Sequence, residues 1–115
     1  MGSGYGPGVG PGHGGGIGGG AYRVGGGVSA PKVLYQPEPE YSEEARKNKW
    51  QGTVLLRIIV GTDGRAHDIS VIQSLGMGLD EKAIEAVKTW RFEPGRNLGQ
   101  AVPVEVAVEV NFHLY

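Results

Sequence analysis

No cysteine occurs in the chain. No disulfide can staple the fold, and the redox compartment cannot be read, because a cysteine-free chain suits cytosol and periplasm alike. Long apolar runs are missing too: no stretch approaches the ~18 residues that a membrane-crossing helix needs. Charge is almost absent from residues 1–29, where Arg23 stands alone, while 15 of the 22 glycines lie in that same stretch. Such a segment buries too little apolar surface to offset its ordering entropy, so residues 1–29 are expected to form a disordered Gly-rich arm. Met1-Gly2-Ser3 at its start reads as an expression remnant, which would make the chain a piece of a longer protein. Residues 30–115 then form the foldable domain, near the lower size limit for a chain that folds without staples. This part holds 10 Lys+Arg against 12 Asp+Glu, a formal −2. With no dominant basic patch, nucleic acid is not an expected partner.

Chemistry-bearing constellations are equally sparse. His13, His67 and His113 are far apart in sequence, with no cysteine or carboxylate cluster at ligand spacing, so no metal is expected. Gly10-Pro11-Gly12-His13-Gly14-Gly15 fits a dinucleotide pattern by glycine count only, without a preceding strand or a following helix. No serine sits in a nucleophile elbow and the carboxylates are scattered, so neither an enzyme nor a cofactor is expected.

What the chain does have is alternation. Val102, Val104, Val106, Val108, Val110, Phe112 and Leu114 occupy every second position, between Pro103, Glu105, Ala107, Glu109, Asn111 and His113. A period of two predicts a strand with one buried and one wet face, about 40 Å long at roughly 3.3 Å per residue. Few strands of a small domain can pair along that whole length, so part of its backbone should stay open to another chain. Pro103 suits an edge strand, because it lacks an N–H, and Glu105 and Glu109 discourage indiscriminate pairing.

The remaining elements follow from patterning. Residues 30–39 read as an extended lead-in, with Val33, Leu34 and Tyr35 available to pack on the domain. A short helix follows, with Ser42 as N-cap, Glu43 and Glu44 in its first turn, and Arg46, Lys47 and Lys49 towards its end. Residues 53–60 alternate apolar residues on both faces, as a central strand does. Thr62-Asp63-Gly64 turns the chain into a return strand over residues 65–74, with Ile69 and Val71 on one side and Ile72 on the other. Leu79, Ala83, Ala86, Val87 and Trp90 form the apolar stripe of a second helix from about residue 80, with Asp80 as its N-cap. Trp90 and Phe92 are expected in the core, and a loop through Asn97 and Gly99 leads to the final strand. The order predicts an α+β fold: a three-stranded antiparallel sheet with two helices packed on one face.

These segments resemble the C-terminal domain of TonB-type energy transducers. The likeness runs over about residues 37–115 and rests on an ordered set of short pieces. They are Pro39-Glu40-Tyr41, Ala45, Gly52, Asp63-Gly64, Leu79-Asp80 with Ala83 and Val87, Trp90-Arg91-Phe92-Glu93-Pro94, Gly99, and Val110-Asn111-Phe112. The resemblance implies a periplasmic domain, tied to the inner membrane by an upstream anchor. Through that anchor it would meet a motor complex that draws on the proton gradient. It also implies outer-membrane transporters as partners, whose short TonB box adds as a strand beside the final strand. On that basis Val104, Glu105, Val106, Ala107, Val108, Glu109, Val110, Asn111 and Phe112 carry the partner contact, with Tyr41 and Ser42 near the docking surface. Ser42 stands where the family commonly has proline, and the Gly-rich arm replaces a Pro-rich linker. The alternative from another class is a self-assembly module, a homodimer that pairs or swaps its last strand.

Overall fold

The computed structural model describes residues 20–114. The part of the expected arm that spans residues 1–19, with Met1-Gly2-Ser3, His13 and the Gly10–Gly15 pattern, lies outside the described residues.

The central strand β3 (Gly52–Val60) has Val54, Leu56, Ile58 and Val60 without solvent exposure. On one side it pairs antiparallel with β8 (Val104–Phe112), in unbroken register from Gly52↔Phe112 to Val60↔Val104. On its other side lies β4 (Ala66–Gln73), whose register with β3 shifts twice. Between β3 and β4, Thr62-Asp63-Gly64 makes the turn, with Gly64 taking the positive φ of 77°. A Cβ there would meet the Phe92 carbonyl at 2.5 Å, so glycine is required for space as well as for φ.

Helix α1 (Glu43–Lys47) is capped by Ser42, whose hydroxyl accepts the Ala45 N–H at 3.1 Å. Helix α2 (Leu79–Thr89) buries Leu79, Ala83, Ala86 and Val87. Both helices share one core with the even-numbered face of β3, together with Trp90, Phe92, Val110 and Phe112. Each fully buried aliphatic side chain contributes about 1.5–3 kcal/mol by leaving water. The expected placement of both helices on one sheet face therefore holds, as do the α2 stripe and the buried Trp90 and Phe92.

Several expectations need correction. The sheet has four strands, in the order β1-β8-β3-β4, because β1 (Tyr22–Arg23) joins from within the Gly-rich arm. Residues 20–29 are thus ordered: Tyr22 donates to the Pro103 carbonyl at 2.8 Å, and Val28 bridges to Asn97. A backbone can dock on a strand edge without burying side chains, which composition does not reveal. The lead-in contains β2 (Lys32–Tyr35), antiparallel to β5 (Arg91–Glu93), yet Val33, Leu34 and Tyr35 stay exposed. Asp80 is not the N-cap of α2; Gly78 is, and the Asp80 carboxylate instead accepts the Leu75 N–H at 2.9 Å and the Ser74 hydroxyl. The expected loop after Gly95 is a tight hairpin of β6 (Arg96–Asn97) and β7 (Gln100–Ala101), turned by Leu98 and Gly99, both at positive φ. The final strand is shorter than its alternation, because the Val102 N–H turns to the Gly95 carbonyl at 3.0 Å. In β4, Asp68 takes a positive φ of 49° where the register shifts, and Val71 and Ile72 are exposed.

Candidate functional site

The outer side of β8 is the candidate site. The bond from Tyr22 to the Pro103 carbonyl fixes which backbone groups face outward. A strand turns successive residues to opposite sides, so the N–H and C=O groups of Glu105, Ala107, Glu109 and Asn111 share that outward side. Those of the even-numbered residues face β3, in line with the register. Arg23 covers Glu105, but β1 ends there, so among the described residues no strand lies beside the outward groups of Ala107, Glu109 and Asn111.

A slot runs beside the far part of this stretch, from Glu109 onward. Residues 36–41 form its far wall, and two adjoining clefts of about 550 and 310 Å³ lie between that wall and residues 109–114. Pro37 and Pro39 lack N–H groups, which weakens the wall as a strand partner of its own. The wall is pinned from below, where the Trp90 indole donates to the Pro37 carbonyl at 3.1 Å. At the far end Tyr41 stands edge-on to Phe112, ring centroids 5.6 Å apart. Burial pushes the Tyr41 phenol pKa up, and its hydroxyl donates to the Trp50 carbonyl at 2.8 Å. Charged groups along the clefts are Glu38, Glu40 and Glu109 with Arg46.

The residues singled out in the sequence divide into four groups. Val110 and Phe112 are core, while Val106 and Val108 are half-buried on the same face. Ala107, Glu109 and Asn111 are exposed and carry the open backbone. Val104 and Glu105, expected at the partner contact, are instead paired with Tyr22 and Arg23. Tyr41 lines the slot; Ser42 does not, because its hydroxyl is taken by the Ala45 N–H and the Met77 carbonyl. Trp50 is half-exposed, held by its indole to the Leu75 carbonyl at 2.9 Å. Arg91 reaches back to the Thr89 and Trp90 carbonyls and closes the end of α2. Sequence reasoning missed the wall itself, Glu38 and Pro39 in particular. The alternation of Pro37 and Pro39 was its available signal.

No group of three or more metal-ligating side chains occurs among the described residues. His67 Nε2 lies 3.0 Å from Asp63 Oδ2. Burial pushes the Asp63 carboxyl up, but the Arg65 N–H and His67 more than offset it and hold it below its ordinary value. The arrangement suits binding an extended chain: main-chain donors and acceptors at a two-residue spacing, beside a preformed trough.

Comparison with known proteins gives the context. Residues 37–114 match the family model described as Gram-negative bacterial TonB protein C-terminal. Protein tonB2 of Pseudomonas aeruginosa is 40% identical over 82 residues, covering 70% of this chain and 30% of that protein. Protein TonB of Escherichia coli strain K12 is 26% identical over 84 residues, covering 72% and 35%. Protein TonB of Vibrio cholerae is 32% identical over 83 residues, covering 71% and 34%. The chain thus spans about a third of the length of the curated relatives it matches. Among solved structures, the solution NMR structure of the Pseudomonas aeruginosa TonB CTD superposes with a TM-score of 0.60 at 26% identity. It covers 80% of this chain and 92% of that one.

Proposed function

The chain belongs to the Gram-negative bacterial TonB C-terminal family, and on that premise we propose that its β8 edge receives the TonB box of an outer-membrane transporter as an added strand. The open, straight stretch of β8 beside the slot carries this reading. Main-chain hydrogen bonds to Ala107, Glu109 and Asn111 supply affinity. Alternate side chains of the added strand point into the trough beside residues 36–41, where selectivity arises. In this reading the domain works in the periplasm, as the receiving end of a transducer anchored in the inner membrane and driven there by a proton-gradient motor. It performs no covalent chemistry.

The test is a titration of the ¹⁵N-labelled chain with a synthetic TonB-box peptide. Backbone amides at positions 107, 109 and 111, with Tyr41 and Glu38 across the slot, are expected to move together. Response of another surface, with these amides still, overturns the reading. The same edge also suits a second copy of β8, so sedimentation over a concentration series accompanies the titration. A stable dimer that blocks the peptide would assign the edge to self-assembly.

A further inference from the structure

We propose that residues 22–24 act as a register stop: they fix where on β8 an added strand begins, and thereby the length of partner segment that the edge accepts. The proposal rests on the strand-addition reading and gives it a boundary. Tyr22 and Arg23 lie in parallel register with Val104 and Glu105, on the side where a partner strand adds. The contact is held by the Tyr22 N–H on the Pro103 carbonyl at 2.8 Å. Arg23 adds an ion pair to Glu105 at 3.8 Å, and Arg57 meets the same carboxylate at 3.5 Å from β3. These exposed pairs are individually weak, yet they bias Arg23 to one place on the edge.

The stop also has a defined end. Past Val24 the chain leaves β8 through Gly25, Gly26 and Gly27, with φ of 120°, 57° and 96°. Residues with side chains rarely adopt three such angles in a row, so the glycine run is what turns the arm away. The Gly25 N–H then bonds the Val28 carbonyl at 2.9 Å, and Val28 bridges to Asn97, so the turned chain is anchored. Beside the departure point, Val24, Val106 and Ala107 share a shallow depression with Arg23 and Ile72. An added strand therefore meets the arm head-on at Val106. Among the described residues, what remains is residues 106–112, whose outward groups are the three N–H and three C=O of Ala107, Glu109 and Asn111. A segment of about seven residues fills that stretch at roughly 3.3 Å per residue.

The experiment uses the full chain and two synthetic peptides from one transporter: its seven-residue box, and the same box extended by four natural residues at each end. In the native chain both should move the amides of Ala107, Glu109 and Asn111, leave Glu105 still, and bind within about twofold of each other. Tyr22→Pro removes the donor that holds β1 and leaves the core untouched. In that variant the long peptide should also move Val104 and Glu105 and bind roughly fivefold to tenfold tighter, the worth of one or two net hydrogen bonds. The short peptide should be unchanged. Arg23→Glu, which keeps the backbone donor, should show the same trend at smaller size. Equal footprints and affinities for both peptides in native and Tyr22→Pro chains overturn the stop while leaving strand addition standing. Still edge amides with both peptides in both proteins overturn strand addition and the stop with it.

Discussion

The sheet has two sides where pairing ends, and they are built differently. At β8 the register with β3 runs unbroken over nine residues. At β4 it shifts twice, and Asp68 adopts a left-handed φ of 49°. A strand with register shifts is a poor template, because successive donors and acceptors no longer lie on one line. A straight strand keeps its outward groups in line, and β8 does so beside a trough with a pinned wall. The same β3 thus supports one irregular edge and one straight edge. The straight edge is partly covered by the protein's own arm. An edge is specified by what bends it and what covers it, more than by how hydrophobic it is.

A charge placed on each outer strand separates the two most strongly. Val110→Asp buries an unpaired carboxylate at a site 1% exposed, and is expected to cost more than about 3 kcal/mol, enough to unfold a marginal domain. Val71→Asp on β4, where the valine is 40% exposed, should cost less than about 0.5 kcal/mol. Similar losses of melting temperature would show that the two strands are not differently buried.

Proline separates the backbone role from the packing role. Glu109→Pro removes an outward N–H and leaves the ladder to β3 in place. It should lower stability by about 1 kcal/mol and weaken box-peptide binding at least tenfold. Ser70→Pro on β4 should leave binding unchanged, whatever it does to the melt. Calorimetric titration of both variants decides the matter: equal binding losses would remove the distinction between the edges.

Two smaller effects concern the surroundings of these strands. Ser42→Ala takes away the cap of α1 and the bond to Met77. It should cost about 1 kcal/mol without changing the footprint of a bound peptide, because Ser42 lies off the slot. Asp80 braces the turn that follows β4. Burial pushes its carboxyl up, but the Leu75 N–H, the Ser74 hydroxyl and the Gly76 N–H hold it below its ordinary value. A depressed folded value means that its stabilisation is full above the unfolded value and is lost as pH falls through the folded one. Asp80→Asn should therefore cost about 0.5–1 kcal/mol at pH 7, allowing for solvent screening, with the gap closing below about pH 4. A gap that stays constant in acid would show that the carboxylate's charge contributes nothing there.

Much of this was legible in the chain. Apolar spacing located β3, α2 and the core face of β8, since burial leaves a periodic trace that any single segment carries. Ser42 was readable as a cap and Asp63-Gly64 as a turn, because both act within a few residues of themselves. Asp80 looked like a cap as well, and was misread because its partners, Ser74 and Leu75, precede the helix rather than belong to it. The Pro37–Pro39 wall was missed for a related reason: its role depends on an indole fifty-three residues away.

Alternation alone assigned the inward side chains of residues 104–112, since burial on one face is a property of a single strand. The expectation that Pro103 and Glu105 discourage pairing fared differently, because the Pro103 carbonyl accepts the Tyr22 N–H and Glu105 lies in register with Arg23. Which part of the edge is covered followed only from long-range contacts among the described residues. Tyr22 and Arg23 reach it through backbone groups that every residue type possesses, and a backbone contact leaves no mark in composition or periodicity.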